Sequence, residues 1–259
     1  MKLYLYLDKE TLVHRLDPRT KVLILLVSFI VALVFQDPVY AAFILGLILF
    51  YGALAGSLPN LKKVWFLLLT IGFLSLAGWT LLAKGQTPLF WRISLESLYY
   101  GISTAIRIDG MIIAGVIFLS TTKNEEVSLA LIRMGLPYSA AFAFSMALRL
   151  VPTFVGTAST VIEAQRSRGL DLDSGTFLER AKNYIPLLAP VFLNTIRSTN
   201  QLAMALEGKG FRARKDRTFY LEIGFKKHDF FALALTLLFL VIALGLRILG
   251  FGRIPGLSP

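Results

Sequence analysis

Five long apolar segments, roughly Lys21 to Phe35, Val39 to Leu58, Val64 to Leu82, Tyr99 to Thr121 and Asp229 to Leu249, constrain this chain more than any other feature. A helix rises about 1.5 Å per residue, so about 20 residues cross the roughly 30 Å of a bilayer's hydrocarbon core. Of the 259 residues 56% are hydrophobic and only 17% charged, with a mean hydropathy of +0.67. A soluble domain of that composition would leave much apolar surface wet. The expected fold class is therefore all-α: a polytopic membrane protein with about five transmembrane helices.

The first segment follows a polar-containing stretch and lacks a small-residue cleavage signature, so it reads as a retained span rather than a removed signal peptide. Breakers agree with the boundaries: Asp37-Pro38 separates the first two spans, Ser57 to Asn60 ends the second, and Gly85 to Pro88 ends the third. Gly52 and Gly56 form a G-x-x-x-G on the second span, which either marks a close packing seam or reflects the general abundance of glycine in membrane helices.

Between the fourth and fifth segments the pattern changes. Lys123 to Lys227 carries 15 Lys and Arg and 9 Asp and Glu, with apolar residues interrupted by charge every turn or two, as amphipathic helices require. Three regions follow: 1–122 with four spans, 123–227 as a helical domain at or outside the bilayer, and 228–259 with the final span and tail.

The net charge is +11. No nucleic-acid-binding motif accompanies it, so no nucleic-acid partner is expected, and the excess reads as cytoplasmic loops beside a lipid bilayer. One side holds Lys2, Lys9, Arg15, Arg19, Lys21, Lys62, Lys63 and the basic domain; the other holds Lys84, Arg92, Arg253 and at most Arg247. That asymmetry predicts the N-terminus and amphipathic domain in the cytoplasm and the C-terminus outside.

Catalytic chemistry is not apparent. There is no cysteine, and the two histidines, His14 and His228, sit at opposite ends of the chain. Asp109-Gly110 resembles the start of a phospholipid-synthase motif, yet no further acids follow at helical spacing. Gly208-Lys209 resembles a P-loop, but the first glycine is missing and Gly210 stands where Ser or Thr would bind magnesium. No nucleotide site, cofactor or metal is expected. Arg107 and Asp109 lie within the fourth span, where ionisable groups are expensive; they read either as helix-helix glue or as a contact with another membrane subunit.

The informative feature is a local echo. Ala164-Gln165-Arg166-Ser167-Arg168-Gly169-Leu170 and Ala205-Leu206-Glu207-Gly208-Lys209-Gly210-Phe211 each close a helical stretch with a small residue, a base, a glycine and an apolar residue. A base near a helix end complements the dipole, and glycine commonly follows a helix, so each could be a cap and nothing more. Two of them, in one amphipathic domain, suggest a pair of helix ends offered to a partner through charge-assisted hydrogen bonds.

Four segments together resemble the T component of energy-coupling factor transporters: Leu16-Asp17-Pro18-Arg19-Thr20-Lys21; Thr121-Thr122 with Glu126 and Leu136-Pro137; Ala147-Leu148-Arg149 with Pro152; and the two corners. The resemblance implies a non-enzymatic coupling subunit in a prokaryotic cell membrane. Its expected partners are two ABC-type ATPase subunits and a small substrate-binding membrane subunit, the S component, which imports a vitamin or transition-metal ion. It makes the amphipathic domain a coupling-helix domain and Ser167-Arg168-Gly169 and Gly208-Lys209-Gly210 its ATPase-docking tips. Lys209 departs from the arginine usual in the family. The resemblance further offers Phe142, Phe144, Met146, Leu150, Leu187, Leu188, Val191 and Leu202 as a platform under the S component, against their alternative as ordinary core. The rival expectation is a conventional permease that forms the substrate path itself; it requires polar residues spread through several spans, and the first three contain almost none.

Overall fold

The computed structural model describes residues 6–9, 11–82, 88–90, 93–172, 174, 176–211, 213 and 224–252. Its helices are α1 (Pro18–Val34), α2 (Pro38–Leu54), α3 (Leu58–Leu82), α4 (Leu95–Thr121), α5 (Asn124–Arg133), α6 (Tyr138–Ser167), α7 (Phe177–Asn183), α8 (Ile185–Gly208) and α9 (Lys227–Ile248). A minimal antiparallel hairpin, β1 (Pro88–Phe90) with β2 (Ile93–Ser94), precedes α4. The chain divides into two compact units, Met1–Pro137 with Ile223–Pro259, and Tyr138–Glu222.

Helix starts follow local chemistry. Asp17 and Asp37 accept from the amides of Arg19 at 2.9 Å and Val39 at 2.8 Å, and each is followed by proline at the first helical position, where no backbone donor is needed. Pro59 is likewise tolerated in the first turn of α3, so Lys62 and Lys63 lie on that helix rather than in a loop.

In the first unit α4 is the central helix, packed on α1, α2 and α3, and α1 packs also on α9. Val27, Val31, Ile44, Ile48, Ile113, Ile117 and Ala243 form its core. The five long helices run alternately between two polar layers. In one, α1 and α9 begin, α2 gives way to α3, and α4 ends. At the other, the carbonyl of Gly252 beyond α9 accepts from the amides of Gln36 at 2.9 Å and Asp37 at 3.3 Å in the α1–α2 turn, while Trp79 of α3 meets Tyr100 of α4 edge-on. By length and composition alone α3, α4, α6 and α9 are apolar enough to cross a bilayer; α1 and α2, at 17 residues each, sit at the short limit.

The possible seam at Gly52 and Gly56 separates into two different roles. A Cβ on Gly52 would stand 2.8 Å from Ile117 Cδ1 of α4, so that glycine does permit close packing. Gly56 ends α2 with φ +64° and serves the turn.

In the second unit α6 and α8 are the long elements. Phe211, just past α8, packs on Phe142 near the start of α6 with ring centroids 4.6 Å apart, and Tyr138 adjoins both rings. Ala141, Leu172 and Leu187 are buried there.

Candidate functional site: two basic helix ends and a buried polar belt

Among the described residues five helices end on a left-handed glycine with one bonding pattern: the glycine amide and the following amide both reach back to carbonyls of the last turn. In α6 Gly169 N–H donates to Arg166 O at 3.0 Å and Leu170 N–H to Gln165 O at 3.0 Å; in α8 Gly210 N–H donates to Glu207 O at 2.8 Å and Phe211 N–H to Leu206 O at 2.9 Å. α2, α5 and α9 close in the same way around Gly56, Gly135 and Gly250. What differs is the residue before the glycine. It is Ala55, Met134 and Leu249 in those three helices, but Arg168 in α6 and Lys209 in α8. A cap requires only the glycine, so the two bases are additional to it. Ser167, Arg168, Gly169, Gly208, Lys209 and Gly210 are all exposed.

The tips lie far apart within their unit. Lys209 is two residues from Phe211, which sits on the start of α6, whereas Arg168 follows the last residue of that 30-residue helix. At about 1.5 Å per residue the separation is on the order of 40 Å.

The apolar candidates divide. Leu187 is buried and Phe142 packs on Phe211 with tilted rings, so both serve the unit's own packing. Phe144 and Leu188 are exposed, and Met146, Leu150, Val191 and Leu202 are half-buried. Ile185, Phe192 and Ile196 continue the exposed stripe along α8 at helical spacing, a periodicity that the sequence itself carries.

Arg107 and Asp109 both engage their own chain. Arg107 folds back on α4, donating to Thr104 Oγ1 at 2.7 Å and Ser103 O at 3.4 Å beneath the Tyr100 ring. Asp109 lies against Gly72 of α3, where a Cβ would stand 2.9 Å from its carboxylate.

The segments that carried the family resemblance near the amino terminus and after the fourth span converge in the first polar layer. Lys21 Nζ is buried and donates to His14 O at 2.9 Å and Thr121 O at 2.8 Å, with Glu126 Oε2 3.9 Å away. Asp229, also buried, accepts from the amides of Asp17 at 2.7 Å and Lys226 at 2.8 Å, tying α9 to α1. Asn60 donates to Ser120 Oγ at 2.8 Å and accepts from Lys63 Nζ. Asp229, Asn60 and Ser120 escaped the sequence reading; a lone acid or amide at the edge of an apolar run was their only signal. His14 is held on both ring nitrogens, Nδ1 by Thr11 Oγ1 at 2.7 Å and Nε2 by Leu7 O at 3.0 Å, and burial pulls its pKa below the usual value.

Antiparallel apolar helices between two polar layers, with a second unit whose two long helices end on exposed bases, define a polytopic helical membrane protein presenting paired helix tips. The family model described as "Cobalt transport protein" (CbiQ) matches residues 9–220. The chain is 30% identical over 254 residues to the energy-coupling factor transporter transmembrane protein EcfT of Ruminiclostridium cellulolyticum, covering 91% of this chain and 92% of that protein. It is 27% identical over 241 residues to EcfT of Acidaminococcus fermentans (86% and 88%), and 28% identical over 262 residues to EcfT of Staphylococcus aureus (95% and 96%). The chain belongs to this family, the transmembrane T components of energy-coupling factor transporters.

Proposed function

We propose that this T component passes ATP-driven movement from two ABC-type ATPase subunits to a small substrate-binding membrane subunit, with Arg168 and Lys209 as the points held by the ATPases. The observation that carries the reading is the pair of bases at one register of two helix ends, where three otherwise identical ends have apolar residues. A base beside glycine lets the backbone approach a groove closely while the cation makes charge-assisted hydrogen bonds inside it. Tips on the order of 40 Å apart along α6 suit two separate partners better than one. If the partners approach and part on nucleotide binding and hydrolysis, helices gripped at their tips must follow. The exposed α8 stripe from Ile185 to Ile196, with Phe144 of α6, would then receive the substrate-binding subunit.

In this reading the N-terminus and the second unit are cytoplasmic and the C-terminus is outside, as the basic-residue asymmetry implies. The cargo, a vitamin or a transition-metal ion, is selected by the partner and leaves no signature in this chain. Purification of the tagged chain from its native membrane tests the proposal: two ATPase polypeptides, or two copies of one, and a small membrane protein are expected with it. Recovery of the chain alone, active in uptake after reconstitution, would instead support a self-contained permease.

A further inference from the structure

The first unit contains a cleft of about 580 Å³ whose walls are apolar almost throughout. It exists because α2 leans chiefly on α4 while α1 packs chiefly on α9 and α4, so that α2 meets α1 only slightly. Leu47 and Leu54 of α2 form one wall, Leu235 and Phe239 of α9 the other, and Phe118 of α4 lines the floor. Of the hydroxyl-bearing residues that line it, Ser28 donates to Ile24 O and Thr236 to Ala232 O, each at 2.7 Å, while Tyr51 lies in the last turn of α2, towards the polar belt. At the end nearest the polar belt the lining changes to Lys21 and His228, and Lys226, Lys227 and His228 are exposed beside it.

An occupant must therefore be apolar along its length, thin, and polar only at the belt, where the exposed side chains favour negative charge. A partner's helix is too thick. At about 10 Å across and 1.5 Å per residue it occupies on the order of 100 Å³ per residue, so the cleft would hold about one and a half turns. A spanning helix needs about 20 residues. A lipid acyl chain is thin, apolar and ends in a headgroup at the required depth.

We propose that this cleft binds an anionic bilayer phospholipid, one acyl chain filling the gap between α2 and α9 and the phosphate meeting Lys227 and His228 at its mouth. The full-length chain, extracted from membranes and exchanged into detergent with equal phosphatidylglycerol and phosphatidylcholine, would be examined by native mass spectrometry. One phosphatidylglycerol should be retained per chain, with a preference of about fivefold for each basic residue that engages it. Lys227→Glu with His228→Glu should remove the preference. Ala232→Trp, which fills the cleft, should abolish retention, whereas Leu33→Trp on an exposed part of α1 should not. Equal retention of both lipids by the parent chain, or undiminished retention by Ala232→Trp, would overturn the proposal. Should Ala232→Trp not fold, Thr236→Cys supplies a single thiol in a chain without cysteine. Its capture by phosphatidylglycerol bearing a thiol-reactive acyl chain supports the site, and its crosslinking to a polypeptide in place of the lipid would overturn it.

Discussion

Lys21 and Thr121 stand 100 positions apart in sequence and meet through a 2.8 Å hydrogen bond from Nζ to the backbone carbonyl where α4 ends. The same ammonium donates to His14 O and faces Glu126, so one buried cation joins the N-terminal segment, α1, α4 and α5. Lys21→Met removes the donor and keeps the apolar stem, leaving the buried Thr121 carbonyl unpaired at about 1–3 kcal/mol and the part-buried His14 carbonyl without this partner. A marked drop in apparent melting temperature in detergent is expected, against little change for Lys62→Met on the exposed surface of α3. Equal behaviour of the two variants would show that the belt contributes nothing to stability.

Gly52 of α2 packs directly against Ile117 of α4. Gly52→Ala places a methyl 2.8 Å from Ile117 Cδ1, and Ile117 is fully buried, so the helices must separate. Ile117→Val removes that carbon. The double variant should be more stable than the two single losses sum to, with a coupling of about 0.5–3 kcal/mol. Additive losses would mean that the two residues do not press on each other.

His14 gives the first unit a pH dependence. Its depressed pKa means that the unfolded chain binds a proton first as pH falls through the ordinary histidine value of 6.5. Stability from this residue is therefore complete above that pH and lost progressively below it. Melting curves between pH 8 and pH 5 should show a decline that His14→Gln reduces; an unchanged slope would exclude His14 as its source.

The helices α3, α4 and α9 were legible because spans are set by length and apolarity, and the α1–α2 turn because Asp37-Pro38 both breaks one helix and caps the next; α6, long and apolar enough for a span, was not, because its flanking charges read as an amphipathic pattern. The buried belt was not. Asp229 and Asn60 find their partners across the fold, at Asp17 and Ser120, and tertiary pairing of single polar atoms leaves no periodicity. The Gly52–Gly56 motif stayed open in the sequence because spacing does not distinguish a packing glycine from one in a left-handed turn. The two corners could be read as an echo of residues, but that their bases are the feature separating them from three other glycine-capped ends required the backbone.

Conservative exchanges should separate the two tips. Arg168→Lys loses the planar fork that can bind bidentately, whereas Lys209→Arg supplies one. Arg168→Lys is expected to weaken recovery of the ATPases with the tagged chain, and Lys209→Arg to maintain or improve it. The reverse order would mean that the contacts do not depend on guanidinium geometry.

The proposed coupling depends on Arg168 and Lys209 acting together, and co-purification of ATPases with an Arg168→Glu, Lys209→Glu chain measures it. Both side chains are exposed and the glycine caps stay in place, so membrane insertion and protein level should be unchanged. Removing one partner of a buried, hydrogen-bonded charge pair typically costs about 2–5 kcal/mol. Charge reversal at both tips should therefore eliminate ATPase recovery and uptake. A double variant that retains its ATPases and transports at the parental rate would reduce both bases to helix caps and contradict the coupling assignment.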